Sequence, residues 1–92
     1  MPVTTFNNLD EAISLANATQ YGLAAYIWTN DLKTATLTSE QVEFGLVGIN
    51  EWYPQALEAP FGGWKQSGLG YECGSDGLAE YQEKKLISTG GL

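Results

Sequence analysis

The stretch AAYIWTNDLKTATLTSEQVEFGLVGI, residues 24–49, decides the fold. It opens with a short apolar run, residues 24–28, which predicts a buried strand. It closes with residues 45–49, a second run without charge on either face, which predicts another buried strand. Between the two runs, Thr29-Asn30-Asp31 begins a helix with an acid in its first turn, and Gly45 follows its end. The stretch therefore predicts two strands joined by a helix.

The N-terminal part extends this pattern. Residues 2–6 are β-branched and aromatic, which predicts a further short strand. Asn8 is a helix N-cap candidate, with Glu11 at the third helical position to complete a capping box. The helix that follows has one apolar stripe, formed by Leu9, Ala12, Ile13 and Ala16. The order β-α-β-α-β predicts an α/β fold with a parallel sheet covered by helices.

The C-terminal part has a different character. Residues 50–74 are rich in glycine, with two prolines and two tryptophans and no periodicity. A loop of this length inside so small a domain is usually functional. Ser75-Asp76 then predicts the start of a third helix that runs to about Lys84. A final strand is predicted at residues 86–89, followed by the tail Gly90-Gly91-Leu92.

Length and charge exclude several classes of protein. The chain has 92 residues, no histidine and one cysteine, so it is one small domain or part of a larger one, without zinc site or disulfide framework. Four lysines against eleven carboxylates give a net charge of −7, which argues against nucleic acids and anionic membranes. No run is long enough to span a bilayer and no leader is visible, so we expect a soluble, cytoplasmic protein.

The glycine-rich segment does not read as a nucleotide loop. A Walker loop needs contiguous Gly-Lys-Ser/Thr, but Trp64 and Gln66 interrupt the pattern around Lys65. Gly68-Leu69-Gly70 begins a GxGxxG motif whose sixth position is Cys73. The favoured interpretation is a loop whose glycines permit positive φ angles and close backbone approach.

The other candidate functional residues have little support from the sequence. Cys73 lacks a histidine or cation to activate it, and its neighbour Glu72 is an acid, so we interpret it as an ordinary cysteine. Glu51 and Glu58 could imitate a glycosidase pair, but a solvated loop face is the favoured interpretation. The aromatic residues of the loop suggest either a binding surface or a plug for a core whose other half lies elsewhere: Trp52, Tyr53, Phe61 and Trp64.

Three motifs in order resemble the aldehyde dehydrogenase superfamily. They are DEAISLANATQYGLAAYIWT (residues 10–29), GLVGIN (45–50) and PFGGWKQSGLG (60–70), the last followed by GLAEY (77–81). The resemblance covers essentially the whole chain. GINE (48–51), KQSGLG (65–70) and the closing Gly90-Gly91-Leu92 look most like the succinate-semialdehyde dehydrogenases within that superfamily.

The resemblance also implies which parts of the enzyme this chain lacks. In the family, the cofactor domain, the catalytic cysteine, the general-base glutamate and the oxyanion-hole asparagine all precede the matched region. Pro2-Val3 would close a motif whose Glu and Phe contact the nicotinamide, and Met1 stands where its glycine would be. The resemblance thus implies residues 1–92 as a C-terminal piece of the catalytic domain, with no catalytic, cofactor-binding or metal-binding residue.

The family match assigns two substrate-binding residues. Phe61 matches an aromatic residue that lines the aldehyde tunnel. Gln55 stands where succinate-semialdehyde enzymes place a serine that helps hold the substrate carboxylate, and its amide can also donate a hydrogen bond. We expect both side chains to face one cavity. The family's Gly-Arg-Glu is Gly70-Tyr71-Glu72 here, so a fixed-charge donor is replaced.

The leading hypothesis is a C-terminal fragment of an NAD(P)-dependent aldehyde dehydrogenase, which supplies tunnel wall and subunit contacts and is inactive alone. NAD or NADP would serve the complete enzyme, and none is expected on this chain alone. The expected partner is the remainder of a dehydrogenase or a second copy, since uncovered strands and an edge strand favour association. The alternative is a stand-alone interaction module that associates with a dehydrogenase subunit, and the upstream reading frame distinguishes the two.

Overall fold

The computed structural model describes residues 1–91, and Leu92, the last residue of the closing glycine motif, lies outside them. The described residues form three helices and four strands. In chain order they are α1 (Leu9–Asn17), β1 (Tyr21–Gly22), β2 (Ala24–Ile27), α2 (Leu32–Gln41), β3 (Leu46–Ile49), β4 (Trp64–Lys65) and α3 (Gly74–Ala79). No helix of residues 1–91 has the length and apolar character needed to cross a membrane.

The predicted strand–helix–strand unit is confirmed. β2 and β3 pair in parallel, with a register that runs from Ala24 opposite Leu46 to Ile27 opposite Ile49. α2 connects the two strands and packs against both of them, and α1 packs against α2. A second, antiparallel pair joins β1 to β4. The sheet thus begins as the α/β pattern predicts, but it contains only two parallel strands within the described residues.

The cap of α1 forms as predicted. The side-chain oxygen of Asn8 accepts a hydrogen bond of 2.9 Å from the backbone N–H of Glu11. The Glu11 carboxylate in turn accepts from the backbone N–H of Asn7 at 3.0 Å. The first bond satisfies a backbone donor that the first turn of a helix leaves free, and the second holds Asn7, the residue before the N-cap. Together they fix the start of α1.

Asp31, predicted as an acid in the first turn of the second helix, is instead the N-cap residue of α2, whose first turn holds no acid. Its carboxylate accepts hydrogen bonds from the hydroxyl and from the backbone N–H of Thr34. These two bonds, the hydroxyl first, hold the pKa of Asp31 below its ordinary value of 3.8. A lowered carboxyl pKa means that the cap stabilises the fold above pH 3.8, and that this contribution is lost as the pH falls through the folded-state pKa.

Two predicted strands are wrong. Residues 2–6 and residues 86–89 have no strand structure, and every one of these residues is exposed. The composition of both segments suits a strand, but a strand needs a neighbour for its backbone hydrogen bonds. Within residues 1–91 neither segment has such a neighbour, so neither forms a ladder.

The third helix and the long loop also differ from the prediction. α3 begins at Gly74 with Cys73 at the N-cap and ends at Ala79, so it neither starts at Ser75-Asp76 nor reaches Lys84. The loop of residues 50–74 is not structureless, because it contains β4 and an isolated antiparallel bridge between Phe61 and Glu72. Both differences come from long-range backbone pairing, which has no signature in local periodicity.

The strands are less buried than their composition predicts. On β2, Tyr26 is exposed and the other three residues are only half-buried; on β3, Ile49 is exposed. The buried hydrophobic residues of the described chain are few and small: Ile13, Ala35, Val42 and Leu46. The three short helices therefore supply too little apolar surface to cover the sheet.

The total solvent-accessible surface also shows that the chain buries less than a self-sufficient domain does. The chain exposes 7628 Å², whereas a folded monomer of its mass exposes about 5,200 Å². Its radius of gyration is 18.3 Å, against about 12 Å for a compact domain of this length. The excess of about 2,400 Å² is surface that a self-sufficient domain would bury.

Candidate functional site

A large concave site lies between the glycine-rich loop and α3. It is a cavity of about 790 Å³ whose wall includes Phe61, the loop of residues 67–74, and the side chains of Leu78 and Tyr81. This volume lies within the range of about 300–1,000 Å³ that is usual for small-molecule sites. The sequence predicted a functional loop in this region, and the structure places the cavity in the same loop.

Backbone pairing gives the cavity its shape. The N–H groups of Phe61 and Glu72 each donate to the other residue's carbonyl oxygen at 2.8 Å, which folds the loop back on itself. The N–H of Gly74 donates to the carbonyl oxygen of Leu57 at 2.8 Å, and this bond ties the start of α3 to the earlier part of the loop. Phe61 is thus fixed through its own backbone at the cavity wall.

The glycines have the roles that the favoured interpretation predicted. A Cβ atom on buried Gly62 would lie 2.5 Å from the ring of Tyr71 and 2.8 Å from the carbonyl oxygen of Gly70. Gly70 itself has a φ angle of 85°, which side-chain-bearing residues rarely adopt. The spacing of the glycines therefore permits close backbone packing and a turn.

Lys65 anchors this loop to the rest of the fold. Its ammonium group donates to the carbonyl oxygens of Asn17 at 3.0 Å and Thr19 at 3.1 Å, and it forms an ion pair with Glu43. Asn17 is the last residue of α1, where carbonyl groups lack helical partners and a cation is favourable. This role of Lys65 was not predicted, although a single lysine within the glycine-rich loop was a signal for it.

We expect Lys65→Met to lower the free energy of unfolding by about 1–2 kcal/mol, because a charged donor to two carbonyl oxygens is lost. We expect Glu43→Gln to cost about 0.5 kcal/mol or less, since a half-exposed ion pair contributes little. Urea unfolding followed by tryptophan fluorescence measures both. Equal costs for the two variants would show that the ion pair, and not the contact with α1, is the main anchor.

Asn50 joins the ends of β2 and β3, a role that the sequence analysis also missed. Its side-chain oxygen accepts from the N–H of Thr29, and its side-chain amide donates to the carbonyl oxygen of Thr29, both at 2.9 Å. Its own N–H donates to the carbonyl oxygen of Ile27 at 2.8 Å, and its φ angle is 55°. Asparagine tolerates this left-handed conformation better than most residues. Asn50 thus sets the direction in which the loop leaves the sheet.

Of the two predicted substrate residues, only Phe61 lines this cavity. Phe61 is half-buried and lines the large cavity, as does its loop neighbour Leu57. Gln55 is exposed and is not among the residues that line this cavity. Phe61 therefore occupies a position that suits a tunnel wall, whereas substrate binding by Gln55 stays a prediction.

The charges around the cavity bear on its chemistry. The charged residues in its wall are Glu72 and Glu80, and no lysine is among them. Carboxylates repel the phosphates of a dinucleotide, so this cavity does not fit NAD or NADP. Within residues 1–91, no cluster of three or more histidine, cysteine, aspartate or glutamate side chains could hold a metal ion.

Cys73 also lines the cavity, where it is half-buried at the N-cap of α3. A reactive thiolate needs an electropositive environment, but the charged neighbours in this wall are carboxylates. Glu51 and Glu58, the carboxylates considered as a glycosidase-like pair, are both exposed, as a solvated loop face would be. The environment of Cys73 therefore agrees with the interpretation of an ordinary cysteine.

The four loop aromatics considered as a binding surface or a plug, Trp52, Tyr53, Phe61 and Trp64, lie in different surroundings. Trp52 and Tyr53 make an edge-on ring pair with centroids 6.2 Å apart, and both side chains are exposed. Trp64 lies on β4, and Phe61 lies in the cavity wall. The four residues therefore do not act as one surface, and the choice between a binding surface and a plug for a core elsewhere has to be made separately for each part of the loop.

Comparison with known proteins identifies the class to which this fold and site belong. A model of the aldehyde dehydrogenase family matches residues 1–87. The chain belongs to the aldehyde dehydrogenase family.

Among curated relatives, it is 52% identical over 86 residues to the succinate-semialdehyde dehydrogenase of Paenarthrobacter nicotinovorans. It is 46% identical over 91 residues to the human mitochondrial succinate-semialdehyde dehydrogenase. These alignments cover 94% and 99% of this chain but only 19% and 17% of the two relatives. The chain thus spans about a fifth of the length of the curated relatives that it matches.

Solved structures show the same likeness. Succinate-semialdehyde dehydrogenase from Burkholderia pseudomallei superposes with a TM-score of 0.79 at 43% identity, over 83% of this chain and 16% of that chain. Betaine aldehyde dehydrogenase from Staphylococcus aureus, solved in complex with NAD⁺, superposes with a TM-score of 0.80 at 43% identity. It too is matched over 83% of this chain, and over 15% of its own. The α/β arrangement of this chain is therefore that of a small part of aldehyde dehydrogenase structures.

Proposed function

We propose that this chain supplies the C-terminal segment of the catalytic domain in an NAD(P)-dependent aldehyde dehydrogenase of the succinate-semialdehyde type. There it forms part of the substrate-tunnel wall and makes subunit contacts. The observation that carries the proposal is the cavity walled by Phe61 and the glycine-rich loop, in a segment up to 52% identical to such an enzyme. A nicotinamide cofactor, which would be held by residues outside this chain, would supply the hydride acceptor in the complete enzyme.

The contribution of this chain to the reaction is to hold and orient the substrate. The ring of Phe61 presents an apolar face, which excludes water from an aldehyde beside it. The nucleophile and base must come from the rest of the enzyme, because the chain has no histidine and its one cysteine has carboxylate neighbours. The substrate is itself an anion, so the cation that pairs with its carboxylate must also come from outside this cavity wall.

We expect the isolated chain to produce no NADH or NADPH from succinate semialdehyde or from a panel of other aldehydes. The physical reason is the missing activated thiolate. The measurement is cofactor reduction, with the Paenarthrobacter enzyme as positive control. Turnover that disappears in Cys73→Ser would contradict both this expectation and the interpretation of Cys73.

The proposal itself is tested in a full-length chimaera. The 86 aligned residues of the Paenarthrobacter enzyme are replaced by their counterparts from this chain. We expect the chimaera to oxidise succinate semialdehyde with a kcat/KM within about tenfold of the parent, because no catalytic group changes. A chimaera that folds and assembles but does not turn over would overturn the proposal and favour the interaction module.

A further inference from the structure

The entry segment, residues 51–57, leads from the end of β3 to the cavity of the glycine-rich loop. Its last residue, Leu57, lines that cavity, yet the leucine is 86% exposed. Residues 51–55 make no backbone hydrogen bond to any other part of the described range 1–91. A segment with so few contacts of its own takes its course from the points at which its two ends are held.

The far end of the entry segment is held at one point outside the loop's own turn. The N–H of Gly74 donates to the carbonyl oxygen of Leu57 at 2.8 Å, whereas the bond from the N–H of Ala59 to the carbonyl oxygen of Ala56, at 3.2 Å, only closes a local turn. A single hydrogen bond leaves the segment free to turn about that point. The near end must therefore fix the direction of the segment.

The near end is held by Asn50 through three hydrogen bonds to the end of β2. Two come from its side chain: the oxygen accepts from the N–H of Thr29, and the amide donates to the carbonyl oxygen of the same residue. The third joins its own N–H to the carbonyl oxygen of Ile27. An asparagine side chain that must accept and donate at once has one orientation that satisfies both bonds, so these bonds define its position.

The backbone of Asn50 needs this support. Its φ angle of 55° lies in the left-handed region, which costs energy for a residue with a side chain. Asn50 is exposed, so burial does not hold it in that conformation. The turn brings the next carbonyl group back over β3, because a Cβ atom on Gly48 would lie 2.6 Å from the carbonyl oxygen of Glu51. The two side-chain bonds to Thr29 thus stabilise the turn that directs the entry segment.

We propose that Asn50 is a positioning residue for aldehyde binding. Its side-chain bonds to Thr29 set the course of the entry segment, and thereby the place of Leu57 in the wall that receives the substrate. The inference rests on the proposed function, and it goes further because Asn50 is not among the residues that line the cavity. It acts on the substrate only through the segment that follows it.

The first test compares variants of residue 50 in the full-length chimaera. Asn50→Gly removes both side-chain bonds but allows the positive φ angle, since glycine adopts it without strain. We expect the KM for succinate semialdehyde to rise roughly tenfold, with kcat within about threefold of the chimaera, because the wall is displaced and no catalytic group changes. Asn50→Asp keeps the acceptor for the Thr29 N–H and loses only the donor, so its KM should rise roughly threefold.

The matched control is Asn30→Gly, at an exposed asparagine next to Thr29 that lies outside the loop. We expect it to leave KM within about twofold of the chimaera. A merely structural role of Asn50 would reduce the number of active molecules, which lowers kcat at an unchanged KM. That result, or an equal change of KM in Asn30→Gly, would overturn the proposal. If Asn50→Gly does not fold, Asn50→Asp decides: a raised KM supports the proposal, and an unchanged KM overturns it.

A second measurement needs neither aldehyde nor cofactor. Amide hydrogen exchange of Thr29, followed by NMR on the full chain, should be at least about fivefold faster in Asn50→Gly, and close to the unchanged chain in Asn50→Asp, which retains the acceptor. Equal exchange in all three chains would overturn the inference. An inactive chimaera with Asn50 intact contradicts the proposed function, and this inference with it. An active chimaera whose KM is unchanged by both Asn50 variants contradicts the inference alone.

Discussion

An alanine at Gly45 is expected to unfold most of the chain, with a loss of about 3 kcal/mol or more in the free energy of unfolding. Gly45 lies just before β3, and its Cβ would overlap the carbonyl oxygen of Gly62 and lie 3.2 Å from the Cα of Gly63. These are backbone atoms, which cannot rotate away as a side chain can. The N–H of Gly45 also donates to the carbonyl oxygen of Gly22 at 3.0 Å, so a shift here would disturb a second contact.

The measurement is urea unfolding of the chain and the melting temperature of the chimaera that carries the same substitution. Gly90→Ala is the matched control, because no atom lies within 4 Å of its Cβ position and its φ angle is not positive. We expect that control to change stability by less than about 0.5 kcal/mol. A Gly45→Ala chain as stable as the control would mean that the glycine-rich loop does not pack against β3.

In the chimaera, Phe61→Ala is expected to lower kcat/KM for succinate semialdehyde by roughly 10- to 100-fold, chiefly through a higher KM. Removing the ring takes an apolar wall from the bound substrate and admits water. The backbone of Phe61 is held by both hydrogen bonds to Glu72, so the substitution should leave the loop in place. Steady-state kinetics over a range of aldehyde concentrations separates KM from kcat.

Phe61→Leu should restore most of the activity, since it keeps an apolar side chain at the same position. Trp52→Ala, at an exposed aromatic of the same loop, should leave kcat/KM within about twofold of the chimaera. If Phe61→Ala leaves KM unchanged while the chimaera remains folded, the cavity at this loop is not the substrate tunnel.

Local signals in the sequence were sufficient for the first two helices and the central strands. The Asn8 and Glu11 pair and the Asp31 cap each act within four residues, so their hydrogen bonds follow from spacing alone. The apolar runs that became β2 and β3 lie on either side of a helix, and that order predicts their parallel pairing. The motif spacing also predicted the family, which the comparisons confirm.

The predictions that were wrong concern segments whose structure depends on hydrogen-bond partners from distant parts of the chain, which local composition does not reveal. Residues 2–6 and 86–89 have the composition of strands but find no strand beside them. α3 is shorter than predicted because the fold-back from Phe61 to Glu72 and the bond from Gly74 to Leu57 determine where it begins. The roles of Lys65 and Asn50 also depend on partners that are distant along the chain.

The sequence by itself determined the class of fold, the starts of the first two helices and the family, because each depends on short-range spacing or on motif order. Only the tertiary structure decided that Phe61 lines a cavity whose wall does not include Gln55, that Gly45 must lack a side chain, and that an apolar groove between α1, β2 and α2 is left open beside the Thr38 hydroxyl, which is buried and has no partner within residues 1–91. These features depend on contacts between segments that are far apart in the chain, and the periodicity of side chains in the sequence does not predict such contacts.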